Sequence, residues 1–143
     1  MTWLLLVHAA ATWFMTGLIW FVQVVHYPLF AGVGRDGFSQ YEKDHTERTG
    51  WVVGPPMVIE LAAGLALVRW RPDAIPAWAV WVGLALLGVI WLSTVLQQIP
   101  EHRRLVSGFI ADAHRRLVQT NWVRTVAWTA RGVLSLWFLI LAL

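Results

Sequence analysis

Cysteine is absent from these 143 residues, which excludes disulfides, iron–sulfur clusters and thiolate-ligated haem. Charge is also scarce. Asp, Glu, Lys and Arg make up 13% of the chain against 58% hydrophobic residues, a balance foreign to a soluble domain. No phosphate-binding glycine loop, nucleophile triad or nucleic-acid motif appears in the sequence. No basic n-region precedes the first apolar stretch, and that stretch is too long for an h-region and keeps His8 and Gln23. It is therefore expected to be a retained helix rather than a signal peptide.

Four apolar stretches are present, at roughly 3–25, 53–68, 77–96 and 122–143. Each approaches the ~20 residues needed to cross a hydrocarbon core of ~30 Å. The expected fold is all-α: an integral membrane four-helix bundle in one domain, 1–143, with the lipid bilayer as its first partner. Pro55 and Pro56 suit the first turn of the second span, where missing N–H groups cost little. Eleven tryptophans give interfacial belts, with Trp3, Trp70 and Trp78 at one set of span ends and Trp51 and Trp122 at the other. The 31–50 connection carries Arg35, Lys43 and Arg48, and the 100–116 connection carries Arg103, Arg104, Arg115 and Arg116, against Arg69 and Arg71 on the opposite side. The positive-inside rule then predicts a multi-pass inner-membrane protein with cytoplasmic longer loops and both termini outside, in the periplasm. The pI near 10.2 follows from this topology and from contact with anionic lipid, with no nucleic acid needed.

The chain reads as two similar helical hairpins. In each half a Gln and a Pro close the outgoing helix (QVVHYP and LQQIP), a loop histidine follows, and a charged residue opens the return helix. Spans one and three point the same way, so such a repeat is parallel. FSQYEKDHTERTG is expected to form a short amphipathic helix on the inner surface. Ala62 with Ala66, and Ala79 with Gly83, are spacings that let helices approach closely.

Polar residues within the spans carry the functional signal, because ionisable groups at membrane depth are costly and mark interior sites. His8, Thr12, Thr16, Gln23 and His26 fall within a quarter-turn of helix one, and Asn121, Arg124, Trp128, Arg131 and Ser135 form a matching stripe on helix four. Glu60 is expected to pair with Arg124. Arg131, deeper by about 15 Å from Asn121, needs Glu60, a carbonyl lining or an anionic ligand. His26, His45, His102 and His114 gather at the cytoplasmic end as candidate ligands for iron, copper, zinc or manganese. Glu42-x-x-His45 has the spacing of a di-iron helix motif, although it falls in a loop.

The second half, IPEHRRL…RRLVQTNWVRTVAW, resembles a family of small four-helix membrane proteins, the anthrone-oxygenase-like proteins. The shared residues are Pro100, Leu105, Leu117, Asn121, Trp122 and Arg124. Glu101-His102 stands where the family carries paired asparagines. The first half, with QVVHYPLF and Tyr41, looks more like a bacterial sister group. The resemblance implies oxygenation of a hydrophobic molecule.

Three functions are open at this point. The first is a metal-dependent oxidoreductase or oxygenase acting on a lipophilic small molecule. In it Glu60, Arg124, Arg131 and Tyr41 are catalytic, and Gln23, Asn121 and Trp128 bind cofactor or substrate, with Trp20 and Trp128 flanking an apolar ligand. His26, His45, His102 and His114 would hold the metal. The second is a haem b or quinone carrier. The third is a non-catalytic subunit or assembly factor, in a homo-oligomer or larger membrane complex, whose ion pairs only hold the bundle together.

Overall fold

The computed structural model describes residues 2–142, and among them helix is the only regular structure. Four helices carry the chain: α1 Thr2–Gly32, α2 Arg35–Trp70, α3 Ala77–Leu105 and α4 Ala111–Ala142. All four are long and apolar enough to cross a membrane. Helix α1 packs on α2 and α4, and α3 packs on α4 and α2, which closes a bundle whose loosest seam is α2–α3. Two apolar clusters fill it. One, near the 71–76 turn, contains Leu5, Leu67, Ile75 and Phe138; the larger one contains Met15, Phe30, Phe38, Ile90, Leu117 and Trp128. The outer surface stays apolar, with Trp81, Leu92, Val126, Val133 and Ile140 all exposed. The belt tryptophans Trp3, Trp51, Trp70, Trp78 and Trp122 are exposed as well.

The second span departs from expectation. Pro55 and Pro56 do not open it, because α2 runs unbroken for 36 residues through both prolines. The missing N–H groups free two carbonyls, those of Trp51 and Val52, and both of these residues lie on the exposed surface. The FSQYEKDHTERTG helix does form, but it stacks end to end on the span instead of lying on the surface. Its stripe of Phe38, Glu42 and His45 is buried against the bundle, and such tertiary packing outweighs the local proline preference. His45 and His114 accordingly sit on helices rather than in loops, as does the Glu42-x-x-His45 motif. The close-approach face of α2 is Ala63 and Gly64 rather than Ala62 and Ala66, whereas Ala79 and Gly83 are both buried as their spacing suggests.

Two π-helical turns interrupt the odd-numbered helices, at Val22–His26 in α1 and Thr94–Gln98 in α3. Each is followed two residues later by a proline, Pro28 and Pro100. A proline ring inside a helix clashes with the carbonyl four residues back, and a widened turn relieves the clash. The wide turn closes through Tyr27 N–H to Val22 O and Ile99 N–H to Thr94 O. π turns recur at functional sites because they re-aim side chains. Here they turn Gln23, Tyr27 and Gln98 into the bundle. At the α3–α4 corner Gly108 has φ 135°, a conformation that side chains disfavour.

Candidate functional site

Polar side chains fill the bundle in two layers. Within the bundle, outer means toward the 71–76 turn and inner toward the 33–34 and 106–110 connections. The outer layer centres on Glu60, which is fully buried. Its Oε1 accepts from Thr12 Oγ1 at 2.8 Å and from Arg131 Nε at 2.8 Å, and its Oε2 accepts from Trp128 Nε1 at 3.0 Å. Arg131 Nη1 donates to the Gly83 carbonyl, and Nη2 lies 3.3 Å from His8 Nε2. Carboxylate and guanidinium thus satisfy each other, with helpers from all four helices.

The expected Glu60–Arg124 pair is therefore corrected to Glu60–Arg131. Helices α2 and α4 are antiparallel neighbours of α1. Glu60 stands ten residues from Trp70 and Arg131 eleven from Ala142, so both lie roughly 15 Å from the outer helix ends. Arg124 is seven residues further inward. His8 is packed, stacked on Phe138 at 6.3 Å, and belongs to this layer through Arg131. Close packing holds the layer together. A Cβ on Gly83 would come within 3.2 Å of Leu134 Cδ2 and 3.7 Å of Arg131 Nη1. Gly83→Val is expected to lower stability by about 1–3 kcal/mol through overpacking, read as a lower unfolding temperature in detergent.

The inner layer is less complete. Gln23 accepts from Asn121 Nδ2 at 2.9 Å and donates to Val118 O at 3.1 Å, which ties α1 to α4. Below it, His102 of α3 links two elements. Its Nδ1 lies 2.5 Å from Glu42 Oε1, and its Nε2 lies 3.0 Å from the Tyr27 hydroxyl. Glu42 and Tyr27 are buried. His26 Nε2 lies 2.9 Å from His45 Nδ1, and Thr49 Oγ1 lies 3.2 Å from the same His45 nitrogen. The Arg124 guanidinium is beside the Tyr27 hydroxyl, its Nη1 donates to Asn121 Oδ1 at 3.3 Å, and its Cζ lies 5.1 Å over the Trp128 ring. Arg124 is 6% exposed, and among the described residues no carboxylate pairs with it.

A cavity of about 560 Å³ opens along the α2–α3 seam. Its walls are largely apolar, with Val53, Met57, Val58, Val95, Ile99 and Val106, and its floor is Tyr27 of α1 and Arg124 of α4. Gly50 and Gly54 make the room on α2, since a Cβ at either would meet nothing within 4 Å. Volume and lining match small-molecule sites. A second cavity of about 350 Å³, with Tyr41, Asp44 and Arg48, shares His45 with the first. Compared with protein families, curated proteins and solved structures, the chain has no match.

The expected site residues divide between these places. Glu60, Arg131 and Trp128 build the outer clasp, Gln23 and Asn121 brace α1 against α4, and Tyr41 lines the second cavity with its ring stacked 6.4 Å from His45. Trp20 is exposed, donates to Thr129 and lines neither of these two cavities; Trp91 lines the large one instead. Among the four proposed metal ligands, His26, His45 and His102 come together, with ring centroids 4.8 Å and 5.1 Å apart in sequence. His114 is separated from them by Phe30 and bonds the Tyr27 carbonyl at 2.7 Å.

Among the described residues no three His, Asp or Glu side chains are arranged to hold a metal ion. Both nitrogens of His102 are engaged, and a haem b between His26 and His45 does not fit rings 4.8 Å apart. Tyr27, Glu42, Trp91 and Gln98 were not among the expected site residues. The Glu42-x-x-His45 spacing does single out Glu42 in the sequence, but as part of a metal motif, and the Tyr-Pro after His26 is the signal that could have found Tyr27.

Proposed function

We propose that the protein is a multi-pass inner-membrane enzyme that removes a proton from a lipophilic small molecule admitted from the bilayer between α2 and α3. The carrying observation is the chain Glu42–His102–Tyr27, which ends on the cavity wall beside Arg124. A base oriented by a buried carboxylate is the recurring arrangement for activating a hydroxyl. The Tyr27 oxygen takes the substrate proton while its own passes to His102 Nε2. Glu42 then stabilises the imidazolium, and Arg124 stabilises the enolate or phenolate left on the substrate. His45 borders both cavities and touches His26, which gives the proton a route to the loop side.

The excess of Lys and Arg on that side supports a cytoplasmic placement with both termini outside. The two π turns, each 72 residues apart with its following proline, support descent from a duplicated hairpin. Of the residues that carry the resemblance to anthrone-oxygenase-like proteins, Arg124 lines the cavity and donates a hydrogen bond to Asn121. This supports reaction of the deprotonated lipophile with dioxygen as the outcome. The test is deuterium exchange. Long-chain alkyl phenones are incubated with the protein in lipid nanodiscs in heavy water, and incorporation next to the carbonyl is read by mass spectrometry. The wild type is expected to accelerate exchange, and equal exchange in empty nanodiscs would refute the reading.

A further inference from the structure

We propose that Arg124, Trp91 and Gln98 form a subsite for the head group of an amphiphile that carries an anionic oxygen with a neighbouring hydroxyl. The proposal names the substrate class of the proton-transfer site and rests on that reading for its catalytic meaning, but not for binding.

Among the described residues, five have a buried side-chain nitrogen or oxygen without a hydrogen-bond partner: His8, Glu42, Trp91, Gln98 and Arg124. Three of these, Trp91, Gln98 and Arg124, line the large cavity. Buried polar groups are nearly always paired, so orphans on three residues that line one cavity point to a missing partner. A buried cation without a counter-charge is more costly still. Arg124 is such a cation, and its nearest polar neighbours, Asn121 and Tyr27, are neutral.

The orphaned atoms also define the ligand's chemistry. Arg124 Nε and Trp91 Nε1 are donors and call for acceptor oxygen, charged in the case of arginine. Gln98 Oε1 is an acceptor, because Gln98 Nε2 already donates to Thr120 Oγ1 at 2.9 Å, and it calls for a hydroxyl. Thr120 is one turn inward of Arg124 on α4, and Trp91 is about two turns outward of Gln98 on α3. The arginine is thus between the two, and the head group lies on it with its hydroxyl toward the loop end. Val53, Met57, Val95 and Ile99 receive the tail.

Binding is measured by isothermal titration of the full-length protein in nanodiscs with dodecanoate, 2-hydroxydodecanoate, 1-dodecanol and dodecyltrimethylammonium. The wild type should prefer dodecanoate to dodecanol by roughly ten-fold, prefer the hydroxy acid to dodecanoate, and take the cation least. Trp91→Phe should weaken both acids without changing dodecanol, and Gln98→Leu should erase the gain from the hydroxyl. Arg124→Gln should erase the acid preference, and Arg124→Lys, which keeps the charge, should retain part of it. Gly54→Leu fills the cavity from a position where an added Cβ meets nothing within 4 Å and should abolish binding of all four in a folded protein. Equal wild-type affinity for dodecanoate and dodecanol would overturn the subsite, and so would an acid preference unchanged in Trp91→Phe and Arg124→Lys. Tyr27→Phe should leave the preferences intact. A wild type that shows the head-group preference without accelerating deuterium exchange refutes the proton-transfer reading and leaves the subsite standing, and accelerated exchange without the preference refutes the subsite alone.

Discussion

Replacing Glu60 with alanine is expected to cost about 3–5 kcal/mol of stability, the range for removing one partner of a buried ion pair. The cost comes from what remains behind. Arg131, 2% exposed, keeps its charge and its bond to the Gly83 carbonyl but loses the carboxylate 2.8 Å away. Thr12 and Trp128 lose their acceptor at the same time. Glu60→Gln should lie between alanine and wild type, because the amide keeps one acceptor but turns its N–H groups toward a donor. The double replacement Glu60→Met with Arg131→Met should recover most of the loss, since burying neither charge is often as good as burying both. Denaturation in mixed detergent micelles measures all three. A double variant as unstable as Glu60→Ala would mean that the pair does more than clasp α2 to α4.

The second large effect is on chemistry. Tyr27→Phe is expected to lower deuterium exchange by roughly 10²–10⁴-fold, the usual contribution of a positioned acid–base group. Its stability should change by only about 1 kcal/mol, the net worth of one hydrogen bond. His102→Ala should match it in rate, because the phenol then has nowhere to send its proton. Glu42→Gln should lose less if its amide oxygen still orients the imidazole. Substitution at Tyr41, which lies at the second cavity, should leave exchange near the wild-type rate. A Tyr27→Phe protein that exchanges as fast as wild type would remove Tyr27 from the reaction.

Much of the bundle was legible in the sequence because apolar runs of membrane length leave few alternatives to helix. Of the inward stripe, His8, Thr12, Thr16 and Gln23 are buried as the 100° spacing requires, while His26, in the π turn, is only half-buried. The stripe of Asn121, Arg124, Trp128, Arg131 and Ser135 is buried too. Which charges meet was legible only in part: Arg131 takes Glu60 and the Gly83 carbonyl, two of the partners its depth calls for, whereas the pair of Glu60 with Arg124 does not form. Pairing depends on depth across two helices, and α2 begins at Arg35 rather than near its prolines. Reading Pro55 as a boundary misplaced Glu60 by whole turns and paired it with Arg124. The same boundary left Glu42 in a loop, where a carboxylate has no reason to be buried. Tyr27 was overlooked because the π turn before Pro28 re-aims it, and a uniform helical period does not contain that shift.

Under the proposed function, the layer around Glu60 supplies stability and the layer around His102 supplies chemistry, and the state of His102 is where that division is most exposed. Nitrogen-15 NMR of the histidine-labelled protein in nanodiscs reads which imidazole nitrogen carries the proton. The Glu42–His102–Tyr27 chain predicts a proton held on Nδ1 against Glu42 and an accepting Nε2 whose resonance moves when Tyr27 becomes phenylalanine. A proton on Nε2, or a His102 signal indifferent to Tyr27→Phe, would contradict the relay and with it the proposed site.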